Sequence, residues 1–147
     1  MTSYKNKALY NKYLDDIKSK YNDNTSYFTD TDINTKKHIF LDKFISCEFY
    51  MKNMLYHYYH NNDKFMPIKD IKFNMNSIYA CMSFYNFSFD KNILNYIFGN
   101  SYKRGEKSCN ALRNGLVHYF DSNDGYEVIN RFDELVNYMD MFLCLFK

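Results

Sequence analysis

The chain has 147 residues, a formal net charge of +2, 46% hydrophobic residues and 20% aromatic ones. That length suits one domain with a real core, and that hydrophobicity excludes an intrinsically disordered chain. The near-neutral balance excludes a global basic field aimed at nucleic acid.

No stretch approaches the roughly 20 apolar residues of a membrane span. The opening MTSYKNKALYNKYLDD carries no apolar signal-peptide core, so a cytoplasmic location without membrane contact is expected. Tyr, Phe, Asn, Lys and Ile dominate, Trp is absent and Pro occurs once, a bias like that of an AT-rich coding sequence. The abundance of Lys, Asn and Tyr is therefore not functional evidence.

In chain order, Ser3 to Tyr21 place Tyr4, Ala8, Leu9, Tyr13, Leu14, Ile17 and Tyr21 at helical intervals, which predicts a first helix. NDNTSYFTDTDINT is polar and turn-rich, hence a loop. Asn34 or Thr35 is the expected cap of a long helix running to about His60, ended by NNDKFMP and Pro67. Its apolar positions include Phe40, Leu41, Phe44, Ile45, Met51, Met54, Leu55 and Tyr58.

Helix and short strand compete between Ile68 and Phe89; Asn76 as a cap and the apolar centre of NSIYACMSFYNF favour helix. Asp90 can cap KNILNYIFG, which Gly99 would stop. A further helix is expected from Gly105 or Glu106 to Phe120, then a turn at DSNDG. A last helix from Tyr126 to Phe146 carries Val128, Ile129, Phe132, Leu135, Val136, Met139, Phe142 and Leu143. With no hairpin signal and no internal repeat, the expected fold is all-α, an antiparallel helical bundle forming one domain over residues 1–147.

The stretch ALRNGLVHYF, residues 111–120, interrupts its apolar pattern with Arg113, Asn114 and His118, and places Gly115 where a helix disfavours glycine. Asn114 and His118 are i and i+4 neighbours on one helix face, and the long Arg113 side chain can reach toward the same edge. Leu112, Leu116 and Val117 would hold the other side in the core. An imidazole can move a proton near neutral pH, and a guanidinium matches phosphate oxygens, so the trio suits phosphodiester cleavage with the 2′-OH of RNA as attacker and no metal required. The competing reading is that these are solvated surface residues.

Local charge favours the site. Lys103, Arg104, Lys107 and Arg113 against Glu106 give this segment a formal +3, whereas Asp121, Asp124, Glu127, Asp133, Glu134 and Asp140 against Arg131 give the next one −5.

LRNGLVHYF, followed by a turn and a C-terminal apolar helix, resembles the HEPN superfamily (higher eukaryotes and prokaryotes nucleotide-binding). That family is marked by an R-x(4–6)-H motif, very often R-N-x-x-x-H, here Arg113-Asn114-Gly115-Leu116-Val117-His118. The motif is short; its place late in an all-α chain of about this length also agrees. The resemblance implies a HEPN-like helical bundle, usually dimeric, in which the motifs of two protomers meet in one cleft.

It further implies a metal-independent endoribonuclease of toxin–antitoxin, abortive-infection or CRISPR-linked defence systems. His118 would be the acid/base residue, Arg113 the phosphate binder, and Asn114 would orient His118 or contact the phosphate. RNA contacts are expected from Lys103, Arg104, Lys107 and Tyr119, with no cofactor and with an antitoxin or regulatory protein as a further partner. The subgroup paired with a minimal nucleotidyltransferase often carries a modified tyrosine two residues after the histidine; here Phe120 stands there and Tyr119 is adjacent, a departure from that pattern. The alternative is a non-catalytic HEPN-like module that binds RNA, a nucleotide or a protein partner. Alanine variants at Arg113 and His118 are expected to stay folded, on the premise that both tips face a cleft.

Other features read as structural. His57 and His60 form an H-x-x-H on the long helix, but no carboxylate or cysteine joins them at metal-ligand spacing. His38 is isolated. Cys47, Cys81, Cys109 and Cys144 lack a C-x-x-C and read as small buried hydrophobes. The aromatic run EFYMKNMLYHYYH can stack RNA bases, yet helical spacing suits core and interface better. The pairs Asp15–Asp16 and Asp30–Asp32 read as solvated.

Overall fold

A computed structural model describes residues 33–99, 106–120 and 123–146. The helix expected over Ser3–Tyr21, the two aspartate pairs, Lys103 and Arg104 lie outside the described residues. Those described form an all-α helical bundle of six α-helices: α1 (Ile33–Asn61), α2 (Met75–Phe84), α3 (Lys91–Phe98), α4 (Cys109–His118), α5 (Asn123–Asn130) and α6 (Phe132–Leu143). Short 310 turns at Ile68–Asp70 and Cys144–Phe146 complete them. No described helix is long and apolar enough to cross a membrane.

The 29 residues of α1 make a rod of about 43 Å at 1.5 Å per residue, around which the rest is assembled. Phe40, Phe44, Cys47, Met51, Met54 and Leu55 recur at helical spacing and are buried. This stripe packs most extensively on α6 and also meets α2, α4 and α5. Lys43 on α1 ties to Asp140 on α6 at 2.6 Å, and the Tyr50 ring stacks on Phe146 with centroids 4.5 Å apart. Asn34 and Thr35 lie within α1 and not at its cap. Ile45, expected in the core, is 42% exposed, because the buried stripe passes through 44 and 47.

Two helices end in a way that glycine spotting cannot find. After α1, Asp63 takes φ 60°, with Lys64 N–H donating to the Tyr59 carbonyl at 2.8 Å and Asp63 N–H to His60 at 3.3 Å. After α2, Asn86 repeats the arrangement, also at φ 60°, with Phe87 N–H donating to Met82 at 2.9 Å and Asn86 N–H to Ser83 at 3.0 Å. Both are Schellman closures, built on the two non-glycine residues best able to tolerate the left-handed region.

Residues 75–84 are helical, settling the ambiguous stretch; its cap is Asn74, not Asn76, the Asn74 side chain accepting from Ser77 N–H at 3.1 Å. Asp90 caps α3 through Asn92 N–H at 2.7 Å. Gly99 follows α3 as expected, but with φ −67° and ψ 170°, so it is no left-handed cap.

The C-terminal part departs more from expectation. Ser108 starts α4, accepting from Ala111 N–H while its own hydroxyl donates to the Gly99 carbonyl, so one buried serine both caps α4 and fastens it to the end of α3. The helix ends at His118, not Phe120. Asn123, Asp124 and Gly125, expected in a turn, form the first turn of α5.

The single last helix expected over Tyr126–Phe146 is broken at Arg131, whose backbone sits at φ −109°, ψ 15°. No glycine or proline marks that break. The Arg131 side chain is drawn instead to Glu127, to the Lys107 carbonyl at 2.8 Å and over the Tyr96 ring at 5.2 Å. Burial pushes the Tyr96 hydroxyl above its usual range while the adjacent Arg131 pulls the other way.

Candidate functional site

The α4 helix carries the R-N-x-x-x-H stretch and uses its faces differently. Cys109, Leu112 and Leu116 are buried and seat it on the bundle. Val117, expected beside them, is 66% exposed, because at helical pitch it falls on the outer side of the wheel. Asn114, Val117, His118 and Tyr119 are all exposed, Tyr119 to 75%. Asn114 and His118 thus share one open face, as their i, i+4 spacing requires.

Arg113 turns the other way. Its Nη2 donates to Glu48 Oε2 on α1 at 2.8 Å, and its guanidinium lies 5.1 Å from the centroid of the buried Phe44 ring. The side chain keeps 24% of its surface open, and its Nε is buried without a hydrogen-bond partner. Glu48 also faces Lys52 Nζ at 3.5 Å, one turn along α1. Among the described residues no hydrogen bond joins Arg113, Asn114 and His118 to one another. Arg113 and His118 lie about 140° apart on the helical wheel, and the ion pair with Glu48 holds Arg113 on the inner side. Within one protomer the site is therefore split into an inward cation and an outward amide–imidazole pair.

Gly115 answers to a close neighbour. A Cβ there would lie 1.7 Å from Oδ2 of Asp124 and 2.6 Å from its Cγ, so only glycine lets the first turn of α5 rest against α4 at this point. Asp124 is held in place by Lys107 Nζ at 2.6 Å, while the Lys107 backbone N–H donates to Glu127 at 3.0 Å.

Basicity around the motif is consequently lower than the local sequence implies. Asp124 offsets Lys107 and Glu48 offsets Arg113, both carboxylates lying outside the +3 segment. The signal for Glu48 was present only as an i, i+4 Glu–Lys pair with Lys52 on α1; nothing in the sequence set it opposite Arg113.

His57 and His60 sit in an aromatic end of α1. The Tyr56 ring lies edge-on to His57 and stacked toward His60, and Phe65 packs edge-on to His60 at 4.8 Å. Burial, helped by His60, lowers the His57 pKa. No group of three or more His, Cys, Asp or Glu able to hold a metal occurs among the described residues. Cys47, Cys81 and Cys109 are buried as expected, but Cys144, at the start of the closing 310 turn, is exposed.

No family model, curated protein or solved structure matches the chain.

Proposed function

We propose that this protein is a metal-independent endoribonuclease of the HEPN type, acting as a two-fold dimer, with a place in a toxin–antitoxin, abortive-infection or CRISPR-linked defence system. The observation that carries the reading is the open face of α4. Asn114 and His118 project together beside exposed Val117 and Tyr119, with Tyr126 of α5 66% exposed as well. Apolar and aromatic groups left in solvent around a polar pair suit a surface that meets its own copy.

A second protomer supplies what one lacks. In-line cleavage needs a group to take the 2′-OH proton as the oxygen attacks phosphorus, and another to protonate the departing 5′ oxygen. One helix has one imidazole; a two-fold axis beside Asn114 brings two. Arg113, turned inward onto Glu48, would have to reach the phosphate through the open quarter of its side chain, where it would offset charge in the transition state.

A second reading has a specific observation in its favour. The Arg113–Glu48 pair is also what a structural tie between α4 and α1 looks like, as expected of a non-catalytic HEPN-like module that binds RNA, a nucleotide or a protein partner.

The deciding experiment is incubation of the purified chain with mixed RNAs in EDTA beside His118→Ala. His118 is exposed and makes no hydrogen bond to a described residue, so the variant should melt as the wild type does. Turnover should fall by roughly 10²–10⁴-fold with RNA binding nearly unchanged. Cleavage that survives unaltered in His118→Ala, or no cleavage by either protein, moves the assignment to the binding module.

A further inference from the structure

The arrangement around Glu48 is larger than an arginine and its counter-ion. Arg113 Nη2 and Lys52 Nζ approach the same oxygen, Glu48 Oε2, at 2.8 and 3.5 Å. The distance between the two cationic nitrogens therefore cannot exceed the sum of those contacts, a span that the oxygens of one phosphate can bridge. Each cation lies over an aromatic face, Arg113 over Phe44 at 5.1 Å and Lys52 over Phe73 at 5.7 Å, and both rings pack against Phe98. All three charged side chains keep an open edge, 24% for Arg113, 28% for Lys52 and 19% for Glu48.

Two positive charges and one negative leave an excess of one. Set on an apolar floor, that excess is less screened than on an open surface. A phosphodiester carries one negative charge and would complete the balance. Glu48 by itself is already paired by Arg113; a second cation held beside the first is useful to an arriving anion.

We infer that Lys52, on α1 and outside the R-N-x-x-x-H stretch, is a second phosphate-contacting residue that forms with Arg113 a two-cation cradle held together by Glu48. The inference rests on the reading of Arg113 as phosphate-binding, and extends the site from α4 onto α1. The ligand chemistry is a phosphate oxygen, either of an RNA strand or of free phosphate.

The test is fluorescence anisotropy of the full chain with a labelled single-stranded RNA oligonucleotide over a range of salt, repeated with inorganic phosphate as competitor. Lys52→Gln keeps most of the stem over Phe73, and Lys52→Ala removes it; melting temperatures are recorded for both. Both variants should bind RNA several-fold more weakly, and the slope of log K against log salt should flatten by roughly 0.7, the share of one phosphate contact on a single strand. Lys52→Arg should keep the slope. Phosphate should compete with RNA in the wild type and less well in Lys52→Gln.

Wild-type RNA affinity and slope in a folded Lys52→Gln would overturn the cradle and leave the ribonuclease reading standing on His118. Lys52-dependent binding of RNA or phosphate without RNA cleavage would support the cradle and remove the ribonuclease reading. Phosphate binding that depends on Lys52 in a protein that ignores RNA would assign the cradle to a free phosphate group. Binding of neither would overturn it.

Discussion

Arg113 and Gly115 show how far identity alone carries a residue. Both stand out in the sequence, and both owe their place to a carboxylate on another helix, Glu48 of α1 for one and Asp124 of α5 for the other. Gly115→Ala decides between two opposed effects. Alanine gains up to about 1 kcal/mol in helix propensity over glycine. Its Cβ, however, would fall 1.7 Å from a carboxylate oxygen whose short side chain also crowds the site through Cγ and Cβ. Overpacking of that kind costs about 1–3 kcal/mol, so the variant should be less stable, as a urea titration would read; a gain in stability would mean that Asp124 does not rest there. Arg113→Ala will not stay as sound as the motif alone suggests, because it leaves Glu48 half-buried beside Lys52 only. On the proposed reading, a fall in RNA cleavage in this variant has to be read against its melting temperature, whereas one in His118→Ala does not.

At the scale of elements, periodicity went most of the way, whereas of the expected N-terminal caps Asp90 holds and Asn34, Thr35 and Asn76 lie inside their helices. The long helix, the Asp90 cap and the helical character of 75–84 all follow from spacing and capping chemistry. What escaped is tertiary in origin. The break at Arg131 falls where its guanidinium meets the Lys107 carbonyl and the Tyr96 ring, partners brought together only by folding, beside the local i, i+4 carboxylate of Glu127. The inward turn of Arg113 comes from Glu48, and periodicity within α4 cannot report a carboxylate on α1. The end of α1 at Asn61 lies close to the expected His60, but the left-handed residues that close α1 and α2, Asp63 and Asn86, are not glycines and carried no signal of their own. Asn86→Gly should therefore stabilise the protein, on the order of 0.5–1 kcal/mol, by removing the side-chain penalty at φ 60°. A lowered denaturation midpoint for this variant would show that the Asn86 side chain does more than occupy a turn.

Across the whole molecule, three buried thiols stand on three different helices, Cys47 on α1, Cys81 on α2 and Cys109 on α4, while Cys144 is exposed. Burial pushes the Cys81 thiol up to about 12 and raises Cys47 and Cys109 as well. Thiolate is the reactive form, so one thiol should react quickly with an aromatic disulfide reagent at neutral pH and the other three only as the bundle opens. Three or four fast thiols in the native protein would contradict the packing. The sign of the accompanying pH effect is fixed. The unfolded chain loses these protons at lower pH than the folded one, so stability should fall as pH rises past the ordinary thiol range.

The meeting of α4 and α5 at Gly115 has a consequence of another kind. A helix lying on a greasy surface can roll about its own axis at modest cost, since one apolar ridge resembles the next. A missing side chain on one helix, filled by a carboxylate from the other, acts as a key in a keyway. To advance α4 by one residue, about 100° of roll, would carry the gap at Gly115 away from that carboxylate and bring a side chain against it. The rotational phase of the helix, and with it which way the imidazole of His118 looks out from the protein, is locked by the absence of a methyl group.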